Sequence, residues 1–283
     1  CDDNNKYKNH MIKQAIIPLA GLGTRLLPLT SVIPKELLPI NGKIGLEYIL
    51  EECIDAGIKE FIFVISDKKK SIKKYFYSDY FYKKIIKKKR KDLKLLSLYS
   101  KIKKYKKMIK FVYQNSPKGT GDAVLKCNKY LKGNFFLMLL PDDLIIKKNC
   151  SKEMIRLHKI TNGSIIATKR VKRKTVSRWG ILSFKNKKKN QFQIKDVIEK
   201  PSIKKAPSNF AIIGRYILTS KIFGEIKRLK PGQGGEIHIT DAIKSLIHKK
   251  NKFYGNIFKG KYLDCGTLSG YIDSGIQINK GKK

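Results

Sequence analysis

Several short stretches of this chain carry side chains suited to holding phosphate, a divalent cation and a hydroxylated ligand. The first is "AGLGTRLLP" at 20–28. A dinucleotide-binding turn would need a third glycine where Leu26 stands, and the Gly-Lys-Ser/Thr of a phosphate loop is missing. What remains is a glycine turn at Gly21 and Gly23 whose backbone N–H groups can approach a triphosphate, beside the Thr24 hydroxyl and the planar fork of Arg25. Taken alone, "GLGTR" fits a bare turn with a surface arginine equally well. Lys35, in the proline-stiffened "IPKELLP", offers a second cation nearby, in a chain where lysine is common.

The second stretch is "LLPDD" at 139–143, which reads as a strand end carrying Asp142 and Asp143. Carboxylates beyond the carboxyl end of a strand in an open α/β sheet can hold Mg²⁺ against a phosphate, and Asp142 is the better placed of the two. A turn or cap would use the same pair. Asp264, in "YLDCGTLSGY", also follows a short apolar run and precedes glycine, so the two aspartates could meet on one Mg²⁺. In "YQNSPKGTGDAVL", Gln114 ends a strand, and Gly119 and Gly121 open a helix, where they would let backbone approach a nucleoside. The glutamine amide offers a donor and an acceptor to the edge of a uracil or thymine ring. An ordinary strand-to-helix turn has the same composition. In "VIEKP", the Glu199 carboxylate suits sugar hydroxyls and the Lys200 ammonium a sugar phosphate, although a solvated charge pair looks identical. Gly180, Asn209 and Gly214 would let backbone lie close to such a sugar, and "GGEIHITDAI" reads as a capped helix start.

The elements that must position these groups alternate. Strands are expected at 13–19, over "EFIFVIS", "IKFVYQ" and "NFFLMLLPDD", with helices over "IGLEYILEECIDAGI", parts of 68–107 and "GDAVLKCNKYL" between them. After residue 150 come a helix near 152–161, shorter strands over "GSIIATKR", "GILSF", "FQIKDVIEK" and "SNFAIIGRYIL", and helices near 219–229 and 238–249. This pattern predicts an α/β protein with a mostly parallel sheet flanked by helices, antiparallel material being added by the second half.

At 283 residues and 41% hydrophobic, the chain can bury a large core. No apolar run approaches the roughly 20 residues of a membrane helix. The polar start "CDDNNKYKNH" reads as a disordered lead-in over 1–11, with Met11 a start site and no secretory signal. Five scattered cysteines form no Cys-x-x-Cys pair, which fits a reducing cytoplasm better than a disulfide framework. A net charge of +41 invites a nucleic-acid partner. However, the lysines run through almost every segment rather than forming a stripe, and the enriched Lys, Ile, Asn, Tyr and Phe are residues of A+T-rich codons, so the charge is read as compositional drift.

Taken together and in order, "AGLGTRLLP", "IPKELLP", "GTGDAVL", "LPDD", "VIEKP", "GGEIHITDAI" and "LDCG" resemble the bacterial UTP:glucose-1-phosphate uridylyltransferases, or UDP-glucose pyrophosphorylases, from about Ile12 to about Tyr271. The resemblance implies the nucleotide-diphosphosugar transferase fold, a Rossmann-like mixed sheet in one domain over 12–283. Its nucleotide half would be about 12–150 and its sugar half about 151–283. The implied reaction is UTP plus α-D-glucose 1-phosphate giving UDP-glucose and pyrophosphate, with Mg²⁺. By the same resemblance the Ala20–Gly23 loop, Gln114 and Gly119 hold the uridine, and Arg25 and Lys35 face the triphosphate. Asp142 binds the metal, joined by Asp264 as in related thymidylyltransferases, and Glu199 and Lys200 hold glucose 1-phosphate. The chain departs from the family at Ser31 (usually Lys), Asn115 (Gly), Asp122 (His) and Trp179 (often Tyr). It also ends soon after Tyr271, so the family's final helix is expected to be short and homo-oligomer contacts to be affected. The alternatives are a glucose-1-phosphate thymidylyltransferase or another sugar nucleotidyltransferase and, more remotely, a non-catalytic relative or a basic nucleic-acid-binding protein.

Overall fold

The computed structural model describes residues 11–188 and 191–280; of the lead-in expected over 1–11, all but Met11 lies outside them. In chain order the first half contains β1 (Gln14–Pro18), the hairpin β2 (Pro39–Ile40) and β3 (Lys43–Ile44), α1 (Gly45–Asp55) and β4 (Glu60–Ile65). It continues with α2 (Lys70–Tyr77), α3 (Asp79–Lys88), α4 (Leu93–Met108), β5 (Ile109–Tyr113), α5 (Gly119–Leu125), β6 (Phe135–Leu139) and β7 (Asp143–Ile146). The second half has α6 (Cys150–Thr161), β8 (Ser164–Arg170), β9 (Gly180–Lys188), β10 (Gln191–Glu199) and β11 (Phe210–Thr219). Then follow α7 (Ile222–Arg228), α8 (Ile239–His248), β12 (Phe253–Ile257), β13 (Lys261–Asp264) and α9 (Leu268–Lys280).

Local chemistry explains the boundaries. Asn41 and Gly42 both take positive φ, the two-residue turn that matches hairpin twist. Gly57, at φ 96°, ends α1 in the left-handed region, and the Ile58 N–H reaches back to the Cys53 carbonyl. The Asp92 and Asn149 side chains cap α4 and α6 by accepting from the N–H groups of Leu95 and Lys152.

Nine strands form one sheet in the order β5-β4-β1-β6-β11-β8-β12-β10-β9. The β5, β4, β1 and β6 strands are mutually parallel, β11 runs antiparallel to both β6 and β8, and β9 and β10 add an antiparallel edge. The mixed α/β sheet and the antiparallel second half are thus as expected. Both faces are covered. Ile17 of β1 belongs to a core cluster with Phe61, Phe63 and Leu50, while its neighbour Ile16 joins a second cluster with Val64, Val124 and Ile243. Chain order reverses between β1 and β6, which creates a crevice at their carboxyl ends where open α/β sheets bind ligands.

Two departures matter for the site. The strand expected to run into both aspartates stops at Leu139; Pro141 intervenes, and Asp143 begins β7, which pairs antiparallel with β13 so that Asp143 stands opposite Asp264. A central strand, β12, lies between β8 and β10 where none was expected. Helix α9 is 13 residues long, and Tyr271 on it donates its hydroxyl to the Pro39 carbonyl. Arg215 on β11 is fully buried and ties the sheet to α1, its Nη2 lying 2.9 Å from Glu52 Oε2 and its Nη1 3.2 Å from the Leu140 carbonyl. No helix among the described residues is long and apolar enough to cross a membrane.

Candidate active site

Two clefts open at the carboxyl ends of β1 and β6. The larger, about 460 Å³, is lined by Ala20, Gly21, Gly23, Thr24, Lys35, Gln114, Gly119 and Asp142 among the expected residues, and also by Glu36, Thr120 and Glu236. The glycine loop that follows β1 is held by its own contacts. Gly23 sits at φ 72°, and its carbonyl accepts from the Thr30 hydroxyl at 2.8 Å. The short turn Thr24–Leu26 then leaves Arg25 more than half exposed, with its guanidinium paired to Asp142.

On the opposite wall, Gln114 is 4% exposed. Its Nε2 donates to the Gly119 carbonyl at 3.1 Å and to Asp122 Oδ2 at 2.6 Å. The donor half expected to meet a base is therefore already engaged. Gly119 lines the cleft at φ 93°, and a Cβ there would come within 2.6 Å of the Ile237 carbonyl. Gly121 does not line it. Its N–H donates to the Ile237 carbonyl at 2.8 Å, and a Cβ would meet Ile237 Cγ2 at 2.7 Å, so this glycine is needed for packing α5 against the segment before α8.

The smaller cavity, about 200 Å³, lies between β9, β10, β11 and the β7–β13 ribbon. Glu199 is in its wall and accepts from the Thr240 hydroxyl at 3.0 Å. Gly180 is also in the wall, and a Cβ there would lie 3.0 Å from Ile212 Cδ1 and 3.1 Å from Glu199 Oε2. Gly214 lines the cavity too, but its lack of a side chain serves packing, because a Cβ would fall 2.4 Å from Asp143 Oδ2 and 2.6 Å from Leu140 Cβ. Two expected residues are not in this wall. Lys200 turns at φ 42° with its half-exposed ammonium 3.9 Å from Glu199 Oε1, and Asn209 uses its carbonyl to accept from the Val171 N–H.

A charge cluster joins the clefts. Asp142 lines both, and its Oδ2 accepts from Lys35 Nζ at 2.7 Å and from Arg25 Nη2 at 3.3 Å. Burial works to raise the Asp142 carboxyl, but the Lys35 ammonium, a backbone hydrogen bond and the Arg25 guanidinium together outweigh it and hold the group below the usual carboxylate range. Burial likewise works to lower the Lys35 ammonium, and Asp142 reverses the sign and raises it. Asp143 behaves oppositely: burial and the neighbouring Asp142 charge push it up to about 6, although it accepts from the Tyr262 hydroxyl at 2.6 Å and the Gly214 N–H at 3.2 Å. Asp264 Oδ1 accepts from the Gly266 N–H at 2.9 Å, and its Oδ2 lies 3.8 Å from Arg178.

Gly266 marks where these groups converge: a Cβ built there would be 2.7 Å from Arg25 Nη2, 2.9 Å from Asp142 Oδ2 and 3.2 Å from Asp264 Oδ1. The two aspartates expected to share a metal therefore do approach one another. Among the described residues no cluster of three or more His, Cys, Asp or Glu forms a cation cage. Asp142 and Asp264 are two hard oxygen donors in the wall of the smaller cavity, and they suit a divalent cation that takes its remaining ligands from water and from oxygen atoms of a bound molecule.

The profile of the nucleotidyl transferase family matches residues 14–281. The chain belongs to that family. A putative UTP–glucose-1-phosphate uridylyltransferase of Methanocaldococcus jannaschii is 35% identical over 268 residues, covering 95% of this chain and 93% of the relative. Among solved structures, a UDP-glucose pyrophosphorylase complexed with UDP-glucose is 36% identical with a TM-score of 0.84, covering 96% of this chain and 100% of that one. A UTP-bound UGPase from Acinetobacter baumannii is 29% identical with a TM-score of 0.83, over 95% and 93% of the two chains. The mixed sheet is accordingly that of UDP-glucose pyrophosphorylase.

Some residues of this nucleotidyl transferase's two clefts escaped the sequence reading. Arg178, Tyr216, Thr240 and Tyr262 line the smaller cavity and Glu236 the larger. Arg178 stands next to Trp179 and Gly180 but is one of 63 Lys and Arg residues, so its type carried no signal. Tyr262 could have been found from its period-2 relation to Asp264, which places the two on one face of β13.

Proposed function

We propose that this chain joins UTP and α-D-glucose 1-phosphate into UDP-glucose, releasing pyrophosphate. The observation that carries this reading is a single carboxylate, Asp142, standing in the walls of both clefts. One cleft has the glycine-rich lining that a nucleoside triphosphate needs, and the other has the size and polar rim of a sugar site. The M. jannaschii relative, a putative UTP–glucose-1-phosphate uridylyltransferase, and the UDP-glucose and UTP in the two solved neighbours support this choice of substrates.

In this reading the Ala20–Gly23 loop, Gln114 and Gly119 take the uridine, and Thr24, Arg25 and Lys35 take the triphosphate. Both cations are paired with Asp142 in the free protein, so an arriving triphosphate competes with that carboxylate for them. Glu199, oriented by Thr240, accepts from sugar hydroxyls, while Lys200 swings from Glu199 to the sugar phosphate and Arg178 adds a second cation. Asp142 and Asp264 would hold Mg²⁺, which when bound neutralises charge on the phosphates. The sugar phosphate oxygen is anionic at neutral pH and attacks the α-phosphorus without a general base; the new P–O bond forms as the bond to pyrophosphate breaks. The side chains contribute alignment and charge neutralisation.

The halves about 12–150 and 151–283 then serve nucleotide and sugar respectively, with Glu236 reaching into the first cleft and Arg25 and Asp142 into the second. The four described cysteines, Cys53, Cys127, Cys150 and Cys265, are free and buried, which suits a reducing cytoplasm.

The test is pyrophosphate release from UTP, dTTP and GTP with glucose 1-phosphate and Mg²⁺, beside Asp142→Ala. Release with UTP that falls by orders of magnitude in the variant is expected. A dTTP preference would reassign the activity to a thymidylyltransferase, and no release from folded protein with any nucleotide would refute it.

A further inference from the structure

Asp122 makes the contact that decides how Gln114 faces its ligand. Gln114 Nε2 lies 2.6 Å from Asp122 Oδ2 and 3.1 Å from the Gly119 carbonyl oxygen. A carboxylate and a peptide carbonyl both only accept, so the NH₂ end of the amide is fixed toward them. Rotating the amide by half a turn would set oxygen against oxygen at both contacts. The atom left to the cleft is Oε1, and Gln114 is one of the cleft's lining residues.

Asp122 cannot readily yield. It sits in the first turn of α5, its side chain is 14% exposed, and the Lys126 ammonium lies one turn away, 3.9 Å from its second oxygen. The start of that helix is locked in turn by Gly121, whose N–H is bonded to the Ile237 carbonyl and which has no room for a Cβ against that residue.

We propose that Asp122 is a positioning residue that makes Gln114 an acceptor-only reader of the base, and so selects pyrimidines carrying a ring N–H. Uracil and thymine present N3–H to the Gln114 oxygen. Cytosine presents an N3 lone pair, which would oppose it. The inference rests on the nucleotide reading of this cleft and adds the atom that does the selecting. It further implies that this contact does not separate UTP from dTTP, since both carry N3–H.

The experiment measures binding of UTP, dTTP and CTP by calorimetry, and turnover of each with glucose 1-phosphate, for the wild-type chain, Asp122→Asn and Gln114→Met. The Asn side chain can turn its own amide and so removes the shorter of the two acceptor-only contacts, leaving the Gly119 carbonyl at 3.1 Å; Gln114→Met removes the reader while leaving Asp122. In the wild type, UTP and dTTP should each bind at least about tenfold more tightly than CTP, the expected cost of an opposed polar contact. In Asp122→Asn the UTP-over-CTP preference should fall by roughly tenfold, through KM and Kd, with kcat for UTP changed far less. Gln114→Met should lose the preference too, which covers the case in which Asp122→Asn does not fold. Wild-type turnover of UTP with the preference unchanged in both variants would overturn the Asp122 role and leave the proposed reaction standing. Equal losses of kcat for all nucleotides would overturn it too, as the mark of a merely structural residue. Wild-type binding of none of the three would overturn both proposals, whereas selective binding without turnover would overturn the reaction alone.

Discussion

Replacing Gly266 by alanine adds one methyl group at the point where the charge cluster converges. The new Cβ would lie 2.7 Å from Arg25 Nη2, 2.9 Å from Asp142 Oδ2 and 3.2 Å from Asp264 Oδ1. Arg25 is more than half exposed and moves away cheaply. Asp142 does not, because its side chain is 16% exposed and tied to Lys35 at 2.7 Å. A comfortable contact needs roughly 3.5 Å, so its oxygen must retreat by about half an ångström. Misplacement by 1 Å costs on the order of 10²-fold in rate, so half of that predicts a kcat lowered by about tenfold. Gly266 is not among the positive-φ glycines, so no backbone strain is added and the loss of stability should stay within about 1–3 kcal/mol. Steady-state pyrophosphate release and urea denaturation measure the two effects separately. A folded Gly266→Ala protein with wild-type kcat at saturating substrates would refute the convergence of these groups on the reacting phosphates.

Two further predictions concern the scaffold. Arg215→Met leaves the buried Glu52 carboxylate with only the N–H and hydroxyl of Ser151 in place of its guanidinium, and should cost about 3–5 kcal/mol in urea melts. Adding Glu52→Leu should recover much of that loss, and failure to recover would show that the ion pair is not the source. Glu225 on α7 accepts from Lys249 and Ser245 of the α8 region, which hold its carboxyl below the ordinary range. Its contribution is therefore complete above the unfolded value of about 4.3 and is lost as pH falls through the lower folded value. Urea midpoints of the wild type should drop across that acid window more steeply than those of Glu225→Gln, and parallel curves would contradict the assignment.

Those parts of the site built from contiguous motifs were legible in the sequence. The glycine loop, Lys35, Gln114, Gly119, Asp142, Glu199 and Gly180 all line the clefts; most stand next to an element whose apolar pattern is plain, and Lys35 is marked by the prolines that flank its short turn. The partners that come from pairing distant segments were not legible. The register that sets Asp143 against Asp264 joins residues far apart in sequence, and Pro141 hides the start of β7 inside what reads as one longer strand. The β12 strand, "FYGNI", is short, contains Gly255, whose missing side chain admits the Phe192 ring, and lies among lysines, so its place in the middle of the sheet had no periodic signal. Gly121 and Gly214 were read as leaving space for a ligand. Their neighbours in space, Ile237, Asp143 and Leu140, are the reason that they are glycine.

Among the described residues, the walls of the two clefts have only Leu140 and Asp142 in common. On the proposed assignment of the clefts, base recognition and sugar recognition are consequently mutable almost independently. Substitutions at Tyr216, Thr240 or Ile212 can reshape the sugar cavity without touching Gln114 or its surroundings, and changes around Gln114 leave the sugar cavity as it is. A lineage carrying this chain could thus exchange the sugar that it activates while keeping its nucleotide, or the reverse, with the Asp142 junction as the part that neither route can alter.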